Sequence, residues 1–381
     1  MAFESDPLNS KSTASPGFRH EELPPVTPPS AGFIVQLFLI PALIVLAVVA
    51  VWALFGKLAD SENDWKQLTT ELGSSNDHRR WRAAMGLAQL LRNEEISPPT
   101  DHEPLAKNPL VVDSLTKLLS ESLASTTKTD EDVTHQEFLA RTLGALDADD
   151  RTLPVLAEGM KDSHNIEVRK SSLMSVAAIA GRHFDHATGY TAALTAGSSV
   201  PPMSERRLPL VASTISDASV LEQLRRSAQD PEPVVRHLAG YALANVSGPE
   251  SLEQLRVMLT DGNRLAQANA AIGLARNGSA ESVPALIQLL RASSKPFEYQ
   301  PDPAAKDEST PETIRQAEAR HQIEESQVAR NCLKAVAELW PQIDAENRVT
   351  LVAVIGQVEE KFFASDVRLQ AGDLLKTIGR P

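Results

Sequence analysis

The stretch VRHLAGYALANVSGPESLEQLRVMLTD, Val235 to Asp261, is followed by AQANAAIGLARNGSAESVPALIQLLR, Ala266 to Arg291, and the second repeats the first. Arg236 falls on Gln267, Ala239 on Ala270, Leu243 on Leu274 and Leu255 on Leu286, each 31 positions on. Small residues recur with Leu at steps of three and four, the period of one helix face, and leave a neighbouring helix room to approach closely. Gly248 and Gly278 interrupt the pattern where a chain leaving a helix often needs positive φ. Each unit therefore reads as helix, short turn, helix.

With this template, weaker copies emerge at Arg80 (RWRAAMGLAQLL), near Glu137 (EFLARTLGALD), at Arg169 (VRKSSLMSVAAIAG), at Arg330 (VARNCLKAVAEL) and at Arg368 (VRLQAGDLLKTIG). A degenerate copy is expected near Arg207, with Pro209 inside it. The steps are uneven because polar insertions fall near residues 95–108 and 292–311, and loop insertions on one face are normal in stacked repeats. No span shows the strict alternation of a strand. The expected soluble part, residues 57–381, is thus all-α, with about eight helical pairs between Ser61 and Gly379. Its core is expected to include Leu87, Ala239, Leu243, Ala270 and Leu274.

Asp followed by Val-Arg, then Ala, then Leu with a small neighbour, as in DPEPVVRHLAGYALA from Asp230 to Ala244, resembles a HEAT repeat. The short bacterial form, similar to that in phycobilisome lyases, is the nearer likeness, and it covers roughly Ser61 to Gly379. The resemblance implies a right-handed α-solenoid used as a protein-binding scaffold, and it does not imply an enzyme. The recurrent arginines Arg80, Arg169, Arg236, Arg330 and Arg368 then read as a structural ladder, each reaching an acid or carbonyl of the adjacent repeat. Asp77, Asp230, Asp261 and Asp366 are the expected partners or helix caps.

Ahead of the repeats, no charged residue occurs between Glu22 and Lys57, and the centre of that gap, Phe33 to Phe55, reads FIVQLFLIPALIVLAVVAVWALF. At 1.5 Å per residue this run reaches about 34 Å, enough to cross a hydrocarbon core of roughly 30 Å. Its Leu, Ile, Val and Phe residues favour insertion by about 5 to 10 kcal/mol, which Gln36 and Pro41 do not overturn. A cleaved signal peptide would be shorter and follow a basic start. We therefore expect a single transmembrane helix over residues 32–56, with Trp52 as an interfacial anchor. Residues 1–31 are Pro- and Ser-rich and too poor in apolar groups to order themselves. Their LPPVTPPS run, Leu23 to Ser30, suits a stiff polyproline spacer.

The chain carries a net charge of −13, and the part beyond the span remains acidic. That disfavours general binding to nucleic-acid phosphates or to an anionic bilayer. The one cysteine, Cys332, rules out an intramolecular disulfide and a thiolate metal cluster, and sits in an apolar helical pattern. HExxH, GxSxG, a phosphate-binding Gly-rich loop and CxxC do not occur. The densest metal-ligand grouping is RHFDH, with His183, Asp185 and His186 and with His164 upstream. It follows Gly181, where a helix is expected to end, so it reads as a solvated turn. The acidic runs LDADD (Leu146 to Asp150) and TDED (Thr129 to Asp132) lack the spacing of a calcium loop.

No catalytic residue, cofactor or metal is therefore expected. Three classes of function stay open. The first is a membrane-tethered scaffold that holds a protein partner in a groove lined by second helices, such as Leu252 to Leu259 and Ser282 to Leu290. The second is a lyase-like or chaperone-like protein handling a prosthetic group. The third, a glycosylase-like enzyme acting on DNA, is opposed by the acidity and the anchor. Bases flank the span almost evenly, with Arg19 on one side and Lys57 and Lys66 on the other. A short uncleaved anchor before a long domain most often leaves that domain on the non-cytoplasmic side. The partner and the oligomeric state are not legible.

Overall fold

The computed structural model describes residues 31–62, 65–100, 102–125, 129–189, 212–299 and 310–379. The expected tail before residue 31 and the copy near Arg207 lie outside them. The chain divides into two units, Met1–Glu62 and Asn63–Pro381.

The first unit holds one helix, α1 (Ala31–Glu62), longer at its far end than expected and continuous through Pro41. The large apolar side chains of Leu39, Ile40, Leu43, Ile44 and Leu46 are exposed, and Trp52 is 77% exposed. Side chains along α1 are described without interruption only from 39 to 52, and those of Phe33 and Phe55 are not among them. Among the described residues, no helix is long and apolar enough to cross a membrane.

Every regular element described in the second unit is helical. In order these are α2 (Trp65–Leu72), α3 (Asp77–Ile96), α4 (Pro109–Ala124), α5 (Asp130–Leu143), α6 (Asp149–Gly159), α7 (Ile166–Ala187) and α8 (Ala218–Ser227). They continue as α9 (Pro233–Val246), α10 (Gly248–Met258), α11 (Arg264–Arg276), α12 (Val283–Ser293), α13 (Pro311–Leu339), α14 (Ala345–Lys361) and α15 (Ser365–Ile378). Short polar side chains start many of them by accepting free amide hydrogens: Asn76, Asn108, Thr129, Asn165, Asp217, Asn263 and Asp344. Thr129 and Asp132 form a reciprocal capping box, which accounts for the TDED run.

The helices form two rows. The odd-numbered helices α3 to α15 pack each on the next, and the even-numbered helices α2 to α14 cover their other side. We term the odd set the first-helix row, because it contains the first helix of each quoted repeat. It holds seven helices among the described residues. The expected copy near Arg207 lies outside the described residues, and α7 packs on α9.

The small residues explain the close row spacing. A Cβ added at Gly273 of α11 would lie 2.6 Å from Ala244 Cβ of α9, so only glycine permits this approach. Helix α11 is apolar on two sides. Ala266, Ala270 and Leu274 belong to the core that runs from α2 to α11, while Ala268, Ala271 and Ala275 belong to the core that continues to α15. Leu87, Ala239 and Leu243 are also buried in the first of these. Gly248 and Gly278 have φ of 79° and 76°, and the turn after α11 closes with Ser279 N–H donating to Leu274 O at 2.9 Å.

Candidate binding groove

Three of the recurring arginines tie a first helix to the next repeat. Arg169 on α7 donates to the Asp230 carboxylate before α9, and both side chains are buried. Arg236 on α9 grips Asp261 before α11 with two bonds of 2.8 and 3.0 Å, and also donates to Asp230 O at 2.8 Å. This pair of hydrogen bonds holds the Asp261 carboxyl below the usual carboxylate range, against the opposing effect of burial. Arg330 on α13 reaches Asp366 of α15 at 2.6 Å in a more exposed setting.

The other two arginines act locally. Arg80 pairs with Asp77 on its own helix and does not reach another repeat. Arg368, on the last described helix, donates to Phe362 O at 2.6 Å and so closes its own turn. At the position of Gln267, where the ladder breaks in sequence, Arg264 supplies the link one turn earlier on α11. It pairs with the buried Glu325 of α13 and donates to Ser293 Oγ at 2.8 Å. Residues three apart share a helix face, so RLAQ carried the signal that a fixed register missed.

RHFDH is not a turn, because α7 continues through Gly181 to Ala187. Its side chains diverge: His183 Nε2 lies 2.6 Å from Asp149 of α6, whereas Asp185 accepts from Arg276 of α11 at 2.9 Å. His164 instead lies 3.5 Å from Glu158. Among the described residues, no three His, Cys, Asp or Glu side chains converge to hold a metal. Cys332 is fully buried, and burial pushes its thiol up to about 12.

The bond from Asp185 to Arg276 joins α7 to α11 past the intervening α9. Beside it opens a cavity of about 260 Å³. Phe184, Tyr241, Ile272 and Ala335 supply its apolar lining, and Asn331, Lys334 and Glu338 its polar lining. Arg276 also lies over the Phe184 ring, 4.6 Å from its centroid, so one guanidinium serves both the ion pair and the floor. Tyr241 is 41% exposed, and Met174 and Val234 extend an exposed apolar strip along α7 and α9. Asn269 donates to His237 O at 2.9 Å, and burial lowers the His237 pKa.

The expected groove along the second helices has one face buried and one exposed, with Val257 61% exposed. Leu252, Leu255, Leu286 and Leu290 form the buried face, packed into the stack. A larger cavity of about 530 Å³ lies among α3, α4 and α5, where the Trp81 ring stacks on His135 with centroids 3.9 Å apart. The acids beside it are engaged in helix starts and local pairs, including Asp77 with Arg80 and Asp132 with Thr129.

Several solved structures are similar to this chain. The complex of CpcE and CpcF of phycocyanin lyase from Nostoc sp. PCC7120 matches at 15% identity and a TM-score of 0.36, covering 83% of this chain and 94% of that one. Computationally designed armadillo repeat proteins for modular peptide recognition match at 14% identity and 0.32, covering 82% and 99%. An engineered protein matches at 19% and 0.31, covering 83% and 96%. No curated protein sequence matches. Residues 218–298, which contain both units quoted at the outset, match the family model of HEAT repeats, and over that stretch the chain is similar to that family.

Proposed function

We propose that this chain is a membrane-tethered helical-repeat scaffold that seats a protein partner in the groove of the first-helix row, with no catalysis, cofactor or metal of its own. The observation that carries the reading is the cavity beside the Asp185–Arg276 ion pair, which apolar and polar side chains from four successive first helices line together. Concave sites with an apolar floor and a few polar groups are where ligands are held, and a stack of repeats extends such a surface along its row.

Tethering rests on the apolar run from Phe33 to Phe55 and on the exposure of the described apolar side chains of α1. A helix with apolar groups all round is unfavourable in water and suits a lipid environment. The scaffold is then held at the bilayer by one helix, with the repeats on the non-cytoplasmic side.

Full-length protein purified in mild detergent should retain a partner that is lost from a Tyr241→Asp, Lys334→Glu double variant of normal helicity. Equal retention by both proteins would exclude this groove as the site. Release of the full chain from membranes by a carbonate wash would exclude the tether.

A further inference from the structure

The outward face of α3 opposes the charge of the chain as a whole. At 100° per residue, Arg79, Arg82, Met85, Gln89, Arg92 and Ile96 fall within one arc of about 140°, and all six are exposed. The acids of the same helix, Asp77, Glu94 and Glu95, lie outside that arc. Ala83, Ala84, Leu87 and Leu91 occupy the opposite, buried side. Arg80 is tied to Asp77, whereas Arg79, Arg82 and Arg92 make no ion pair among the described residues. Met85 is 49% and Ile96 71% exposed between them. Net charge predicts repulsion from anionic surfaces, but it is an average that this acid-free face escapes.

We propose that this face of α3 rests on anionic lipid headgroups. The guanidinium groups match phosphate oxygens in charge and fork geometry. Met85 and Ile96 are placed as the apolar residues of an interfacial helix are, where they enter the boundary between headgroups and acyl chains. The inference rests on the membrane-anchor reading. Asp77 follows Gly56 by 21 positions, a tether that reaches about 70 Å at most. It therefore keeps α3 at high effective concentration beside the bilayer, so weak individual contacts suffice. A nucleic acid offers the same phosphates, but it has no use for the apolar pair.

The full chain carrying Gln89→Cys, labelled with a polarity-sensitive fluorophore, provides the test, since the buried Cys332 stays unlabelled. The protein is reconstituted in vesicles of phosphatidylcholine alone or mixed equally with phosphatidylglycerol. The proposal expects a blue-shifted, brighter emission only with the anionic lipid, reversed by high salt. Charge reversal at Arg79, Arg82 and Arg92 together should lower the docked-to-free ratio by about 100-fold, while lysine at all three positions should retain most of it.

Emission indifferent to lipid charge in protein that co-floats with the vesicles would overturn this proposal and leave the anchor standing. Failure to co-float with either vesicle would overturn the anchor and the proposal with it. A stronger, salt-sensitive response to duplex DNA than to anionic vesicles would assign the face to nucleic acid instead.

Discussion

Replacing Asp230 with Ala removes the acid that ties α7 to the next repeat. The side chains of Arg169 and Asp230 are only 8% and 7% exposed, so the substitution strands a guanidinium with little access to water. Breaking a buried pair from one side costs about 3–5 kcal/mol, because the remaining charge keeps its desolvation penalty and loses its partner. The Glu232 N–H, which donates to Asp230 Oδ1 at 2.9 Å, loses its acceptor as well. Asp366→Ala is the matched control, since it removes the same kind of link where Arg330 and Asp366 are 37% and 59% exposed. Exposed pairs contribute little, so its unfolding midpoint should stay close to wild type. Urea unfolding followed by far-ultraviolet circular dichroism gives the midpoints, and amide exchange in α7 and α9 reports the loss locally. Arg169→Met with Asp230→Leu should recover much of it, because no charge is then left buried. Equal midpoint shifts for Asp230→Ala and Asp366→Ala would refute the argument that burial sets the strength of each link.

The Asp261 carboxyl is held low chiefly by Arg236, so its stabilisation is complete above the ordinary carboxylate pKa of about 3.9 and is lost as pH falls through the lower folded value. Thermal melts across the acid range should therefore show a shallower acid limb for Arg236→Gln than for wild type. Gly273→Val should destabilise by about 1–3 kcal/mol through its clash with Ala244, while Gly356→Ala, which meets open space, should not. Cys332, with its thiol pushed up to about 12 by burial, should resist iodoacetamide at neutral pH and react only in step with unfolding.

The repeats around Leu243 and Leu274 were legible because the small residues that let helices approach are also those that mark the period. The ladder was legible where arginine and acid keep their register, as at Arg236 with Asp261. It was obscured at Arg264, which serves from one turn earlier, and at Arg80, which finds a nearer partner in Asp77. The chemistry of RHFDH was misplaced because Gly181 looked like a helix end. In the packed stack a glycine is tolerated within α7, where an added Cβ would come within 3.4 Å of Asn245. The groove itself was beyond sequence reasoning, since Asp185 and Arg276 stand 91 positions apart in the chain and meet only in the folded stack.

The most direct test of the scaffold reading is a photo-crosslinking comparison in the full-length protein. A photoreactive amino acid replaces Ile272 in the groove in one version and the exposed Val257 of α10 in the other. The account predicts one discrete crosslinked partner from position 272, suppressed by Lys334→Glu, and none from position 257. A discrete partner captured from position 257 and not from 272 would contradict it, and would return the binding surface to the second-helix row.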